Sequence, residues 1–474
     1  MKHCRVAIIG AGTAGLSARR EVAKETHDYV LIDDGVLGTT CARVGCMPSK
    51  VLIQVANDFH RRGNFNAEGI RGGDALSVDS AAVMTHVRSL RDRFVRGVLG
   101  GMASWREEHF TAKRARFVGD HVLDLGDEQI EADRVIIATG SSPILPGPWA
   151  PFRHRLIDTN AFFELSTLPR RVAVVGLGVI GLELGQALHR LGVEVVAVSL
   201  DKAYGGLSDP TLQSYAHDRF SSEFPVHLSG VSKLHEEGED LVLTLEDGTT
   251  LAVDQALLSV GRRPNVAGLG LEELGVPFER GLPVFDPTTF RVEGKDWYFV
   301  GDVNGTRPLL HEAADEGRIA GHNAVHDKDQ CFRRRTAMSV TFSAPNIANV
   351  GRSHRELSAE GVRFVTGEAS YEGQGRAIVK GEEGGLLHVY ADPKTGEVLG
   401  AELLAPGGEH LAHLLAWAIA AGLGVRQALS LPFYHPVLEE GLRTALRDAA
   451  EKLEDSPPPL EVLRCADPPV GVRA

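Results

Sequence analysis

The segment LGTTCARVGCMPSK (37–50) sets Cys41 and Cys46 five positions apart, with Lys50 four residues further on. Thiols react as thiolates, so two of them beside a cation could exchange disulfides or carry electrons. A metal reading is poor, because no second Cys/His pair with zinc-ligand spacing lies nearby, and no metal is expected. Two buried thiols near a strand–helix junction remain an alternative on the residues alone. If the two sulfurs are to bond, a regular helix cannot span them. Five residues rise roughly 7.5 Å along the axis, beyond the ~7 Å limit between disulfide-bonded Cα atoms. Cys41 is then expected in the preceding loop or a distorted first turn, with regular helix from about Cys46. Pro48 is tolerated in such a first turn, and a helix N-terminus lowers the pKa of nearby thiols. Far along the chain, LPFYHPVLEEGLRTALRD (431–448) sets His435 five residues before Glu440. An imidazole titrates near neutral pH and suits proton transfer to or from a thiol. A histidine beside a proline is otherwise a structural residue.

These groups need elements to hold them, and the plainest is a repeat. RVAIIGAGTAGLSARREVA opens the chain and RVAVVGLGVIGLELGQALHRLG recurs from position 171. Each is a short apolar strand, a GxGxxG turn and a helix-period segment, the dinucleotide-binding fingerprint. Gly10 and Gly176 permit the tight turn, Gly12 and Gly178 let the backbone approach a pyrophosphate, and Gly15 and Gly181 let helix and strand pack closely. The anion then sits on a helix N-terminus. Two fingerprints a domain's length apart imply two dinucleotides. After the first, YVLIDD ends in Asp33, placed for an adenosine ribose hydroxyl. After the second, Ser199 stands where a carboxylate is expected in an NAD site, and no arginine is there to receive a 2′-phosphate. NAD is favoured slightly, and NADP stays open.

Other segments frame these two. ADRVIIATGSSP (132–143) and ALLSVGRRPN (256–265) are strands ending in glycine turns, with Thr139, Gly140 and Gly261 as candidate cofactor contacts. KDWYFVGDV (295–303) is a further strand, from which Asp302 emerges after Gly301. Helix is expected around 311–324 and near Glu439–Leu453, and Arg333–Arg335 is expected to be a solvated face. The apolar run Leu411–Leu423, broken by His413, is too short to span a bilayer and reads as a buried or interface helix.

A chain of 474 residues with 43% hydrophobic and 24% charged composition implies a soluble protein of several domains. The net charge of -13 argues against a nucleic-acid partner. No secretory signal is visible, and five cysteines are too few and odd in number for a secreted disulfide scaffold. A cytoplasmic location is expected.

With Cys41, Cys46, Lys50, the paired fingerprints, His435-Pro436 and Glu440 in place, the sequence resembles the flavoprotein disulfide reductases, which include dihydrolipoamide dehydrogenase, glutathione reductase and mercuric reductase. The resemblance covers nearly the whole chain. It implies an α/β fold with an FAD-binding and an NAD(P)-binding Rossmann-like domain and a C-terminal α+β dimerisation domain. The expected divisions are 1–146 and 266–335 (FAD and central), 147–265 (NAD(P)), 336–455 (interface) and an irregular tail, 456–474. It also implies a Cys41–Cys46 disulfide, with Cys41 meeting the substrate and Cys46 against the flavin. Lys50 is implied near the flavin, ion-paired with Glu183, and Asp302 on the ribityl chain. His435 is implied as acid/base, oriented by Glu440 and reaching the disulfide of the other subunit of a homodimer.

Pro48-Ser49-Lys50 and the absence of a terminal cysteine pair point within the class to dihydrolipoamide dehydrogenase. The implied reaction is oxidation of dihydrolipoamide, as a small dithiol or on a lipoyl-carrying partner protein, through FAD to NAD. Four positions depart from the family pattern. Gly38-Thr39-Thr40-Cys41 replaces GGTC, Val437 replaces threonine, Asn346 replaces glutamate, and Ser199 lacks the selecting acid. The alternatives are an NAD(P)H-dependent reductase of another disulfide, resembling glutathione reductase, and a non-catalytic flavin-binding subunit of a larger assembly.

Overall fold

In the computed structural model, which describes residues 1–454, 460–462 and 465, the chain forms three units built around separate sheets, two of them α/β and the third α+β. Most of the expected tail lies outside the described residues.

The opening strand, Lys2–Ile9, is apolar on both faces over its second half, as a central parallel strand must be. It pairs in parallel with Tyr29–Ile32 on one side and Gln129–Ile137 on the other. Trp297–Phe299 joins Gln129–Ile137, also in parallel, so a segment late in the sequence returns to complete the first sheet. The second fingerprint repeats this plan. Arg171–Val175 lies between Glu194–Ser199 and Gln255–Leu258 in a five-stranded parallel sheet. The third unit is different. Its five strands, from Met338–Thr341 to Val398–Ala405, are all antiparallel, with Gly408–Ala420 and Glu440–Glu451 packed on them.

Close backbone approach holds the first unit together. Helix Leu310–Ala324 lies against the first fingerprint helix, Thr13–Glu25. A Cβ added at Gly317 would come 2.1 Å from the Ala14 carbonyl oxygen, and one at Gly321 would come 2.4 Å from that of Ala18. Only residues without a side chain fit there.

The second and third units are joined by polar groups that burial would penalise without partners. Asp209 caps helix Pro210–Ser221 and also accepts hydrogen bonds from His388 Nδ1 (2.8 Å) and the Tyr390 hydroxyl (3.0 Å) of the third unit. Glu402, fully buried, accepts from the Ser208, Asp209 and His354 amides.

One expectation fails here. Arg333 and Arg335 are exposed, but Arg334 turns inward to Glu312 and Glu316, both buried on helix Leu310–Ala324. Two desolvated carboxylates draw it in, a constraint that its basic neighbours in sequence do not reveal. Among the described residues, no helix is long and apolar enough to cross a membrane. The helix over the 411–423 run has its Leu411, Ala412 and Leu415 face buried, while Trp417 is exposed.

Gly317→Ala should destabilise the fold by about 1–3 kcal/mol, the usual cost of overpacking. Gly63→Ala, whose added Cβ meets nothing within 4 Å, should be neutral or stabilising. Denaturant titration of the two variants compares them directly, and equal stability would show that the two helices can move apart freely.

Candidate active site

Cys41 lies in a one-turn helix, Thr40–Val44, and Cys46 begins the long helix Cys46–His60. The regular helix therefore starts where the sequence places it, while Cys41 occupies a separate turn rather than a loop. Gly45 divides the two (φ -130, ψ -122), and a Cβ there would stand 3.2 Å from the Cys41 Cα. Both cysteines are free thiols, and each is the largest influence on the other's acidity. The neighbouring Cys46 thiol, reinforced by burial, pushes the Cys41 thiol up. The Cys41 thiol in turn brings Cys46 down to about 7, with the Lys50 charge helping and burial and Glu183 opposing. Cys46 is thus the more acidic thiol of the pair.

Thr39 explains one departure from the family pattern. It adopts φ 63, a conformation that favours glycine, while its hydroxyl accepts from the Ala42 amide (3.3 Å) and caps the short helix.

Lys50 Nζ donates to both carboxylate oxygens of Glu183, at 2.9 and 2.7 Å. Glu183 is 4% exposed and Lys50 30%. This pair crosses from the thiol helix to the second fingerprint helix, Val179–Arg190, and Arg190 repeats the crossing with a bond to Asn57 (2.7 Å). The same fingerprint helix holds a loop of the third unit. The Phe342 amide donates to Glu183 Oε1 (2.8 Å), and Gln186 bonds both the amide and the carbonyl of Ala344. Sequence reasoning missed Phe342, Gln186 and Ala344. Their polar contacts span distant segments, and no local pattern marks them.

The two glycine turns are alike in detail. A Cβ at Gly10 would meet the Ala138 oxygen at 2.3 Å, and one at Gly176 the Ser259 oxygen at 2.5 Å. At Gly15 and Gly181 it would lie 1.9 Å from the oxygen of Gly10 and Gly176 respectively. At Gly12 and Gly178 it would meet nothing within 4 Å, which leaves the backbone open toward a ligand. The Asp33 carboxylate accepts from the Ala11 amide (2.5 Å), so it stands at the mouth of the first turn. Gly301 lies against Ala14 of the first fingerprint helix and its amide donates to Glu316, while Asp302 accepts from the Ser141 hydroxyl (3.0 Å). Thr139 and Gly140 are tied to Asn265, and Arg262 donates to Ser141, so the strand ends containing Thr139 and Gly261 are brought together. These cradles fit FAD and NAD(H), one dinucleotide each. At the end of Glu194–Ser199, Ser199 donates to the Asp201 carbonyl (2.9 Å), and Asp201 turns its carboxylate back to the Ala203 amide (2.9 Å).

His435 Nδ1 bonds Glu440 at 3.0 and 3.1 Å, and the Val437 amide also donates to Glu440 (3.2 Å). The hydrogen bond from His435 holds the Glu440 carboxyl below its ordinary range. Val437 takes part through its backbone, so the missing threonine side chain costs this contact nothing. The His435 side chain is 80% exposed. Within one chain, this pair and the cysteine pair share no hydrogen bond or ion pair among the described residues. Asn346 donates to the Ser343 carbonyl (2.7 Å) and accepts from the Glu409 amide (3.4 Å).

Residues 4–317 match the model for "Pyridine nucleotide-disulphide oxidoreductase", and residues 337–446 match that family's dimerisation domain. A dihydrolipoyl dehydrogenase of Trypanosoma brucei brucei is 30% identical, over 93% of this chain and 95% of that protein. The human mitochondrial dihydrolipoyl dehydrogenase is 28% identical, over 93% and 89%. Among solved structures, LpdA of Mycobacterium tuberculosis superposes with a TM-score of 0.82 at 24% identity, covering 94% of this chain and 99% of that one. RclA of Escherichia coli, a flavoprotein disulfide reductase solved as a Cu(II) complex, gives 0.80 at 21% identity, over 92% and 98%. Below 25% identity these two likenesses speak for the fold alone.

Two variants test the site's construction. Gly12→Val should fold but lose FAD affinity at least tenfold, read as flavin absorbance per chain with unchanged circular dichroism. A full flavin complement would contradict the cradle. Thr39→Gly should stabilise the protein by about 1–2 kcal/mol, since relief of a positive φ outweighs the few tenths lost with the cap. A lower unfolding midpoint would show that the cap dominates.

Proposed function

Because the chain belongs to the pyridine nucleotide-disulphide oxidoreductase family, we propose that it oxidises dihydrolipoamide, free or carried on a lipoyl protein, and passes the electrons through a Cys41–Cys46 disulfide and FAD to NAD. The observation that carries this reading is the placing of two thiols of unequal acidity on either side of the Gly45 break, with Lys50, ion-paired to Glu183, on the helix that Cys46 begins.

In the oxidised enzyme Cys41 and Cys46 are bonded. His435, held by Glu440, takes a proton from one substrate thiol, and the resulting thiolate attacks the Cys41 sulfur. A mixed disulfide forms and Cys46 leaves as thiolate, which suits the thiol of lower pKa. The second substrate thiol then loses its proton and attacks the substrate sulfur bound to Cys41. Cyclic lipoamide leaves, and the enzyme keeps the electron pair as a dithiol. FAD, when bound, supplies the two-electron relay between this dithiol and the nicotinamide.

In this reading His435 belongs to the partner subunit of a homodimer. Its exposure fits that role, as do the exposed Tyr434 and Trp417 on the third unit. Ser199 favours a second reading. Ser199 itself offers no carboxylate to oppose a 2′-phosphate, and the nearby Asp201 carboxylate is engaged by the Ala203 amide, which suits NADPH-driven reduction of another disulfide.

Cys41→Ser should keep FAD and lose dithiol-dependent reduction of the nicotinamide. His435→Gln should slow dithiol oxidation by about 10²–10⁴-fold, the span of general acid–base catalysis, while the flavin stays reducible by nicotinamide. Turnover with lipoamide and glutathione disulfide against both nicotinamides separates the readings. Greater activity with glutathione disulfide and NADPH would reject the first.

A further inference from the structure

Lys50 and Glu183 belong to two different units, and a single residue of a third touches both. The Phe342 amide donates to Glu183 Oε1, the oxygen to which Lys50 Nζ also donates. The Phe342 ring presents its face to the same ammonium, with Nζ 4.5 Å from the ring centroid. An ammonium over an aromatic face within ~6 Å is attracted by the ring quadrupole, more strongly where water is partly excluded. Lys50 is long and partly exposed, so the carboxylate alone leaves its stem free to sample solvent. Carboxylate and ring together fix the ammonium from two directions.

The loop bearing Phe342 is itself held fast. It follows strand Met338–Thr341, and Gln186 clamps Ala344 at both its amide and its carbonyl. Phe342 also packs against the core that contains Leu52, Ile53 and Leu182. We propose that Phe342 is a positioning residue of the redox centre, fixing the Lys50 ammonium through its ring and Glu183 through its amide, so that the third unit sets the charge beside Cys46.

The inference rests on the Cys41–Cys46 couple of the preceding section. The titratable groups that act on Cys46 are Cys41, Lys50 on its own helix and Glu183 on the fingerprint helix. Lys50 favours the thiolate and Glu183 opposes it. Loosening the ammonium leaves the carboxylate less compensated, so the thiolate becomes harder to form.

The test is the pH midpoint of the thiolate-to-flavin charge-transfer absorbance in the two-electron-reduced holoenzyme. Phe342→Leu removes the ring and keeps the amide, and Phe342→Met provides a second ring-less side chain of similar volume. A cation–π contact of about 0.7–1.4 kcal/mol corresponds to a midpoint raised by about half to one pH unit, or three- to tenfold less thiolate below it. Phe342→Tyr, which keeps the ring face, should match the wild type. In a Lys50→Met background Phe342→Leu should produce no further shift, because the ring acts through the ammonium. An unmoved midpoint in both ring-less variants, or additive shifts in the double variant, would overturn the proposal. Failure of the underlying couple shows separately, as a wild type with no charge-transfer absorbance at any pH.

Discussion

Two sulfurs five residues apart cannot meet along a regular helix, and the site depends on the way the chain avoids that geometry. The helix breaks at Gly45, where a side chain would crowd the Cys41 Cα, and restarts at Cys46. The short preceding turn is capped by Thr39 at a positive φ, a strained conformation held beside the reactive group. From this arrangement follow the mutual influence of the thiols and their opposite displacements in acidity. The Cys41 thiol is driven up and the Cys46 thiol down.

The surroundings add a charged pair beside these thiols. Lys50 and Glu183 lie on helices of the first and second units, and the loop at Phe342 brings in the third, so the charge beside Cys46 is set where three units meet. A buried carboxylate left without its cation would be costly. The pair therefore ties these units together as well as tuning a thiol. Asp209 and Glu402 tie the second unit to the third on the same principle, with every carboxylate met by several donors.

Features governed by local backbone needs were legible in the sequence. The two GxGxxG turns are explicit because close approach to a carbonyl or a ligand admits only glycine, and the added-Cβ distances at Gly10, Gly15, Gly176 and Gly181 show that need in both copies. The cysteine spacing already excluded a continuous helix, although it could not distinguish a loop from the separate turn that holds Cys41. What remained hidden depends on long-range packing. Glu183 and Phe342 are 159 positions apart and meet only when the sheets assemble. Arg334 reads as one of three surface arginines until Glu312 and Glu316 are buried beneath it. Thr39 looked like a loss of the family's glycine, whereas it keeps the glycine conformation and adds a cap.

The most direct measurement is mass-spectrometric thiol mapping of the holoenzyme before and after anaerobic addition of one equivalent of NADH per chain. A working couple hides two of the five cysteine thiols from alkylation in the oxidised protein. Those two should be Cys41 and Cys46, linked to each other, and both should become alkylatable once the nicotinamide has delivered its electrons. If Cys41 and Cys46 label fully in the oxidised protein, or stay linked after the flavin has been reduced, the two sulfurs are not the electron path.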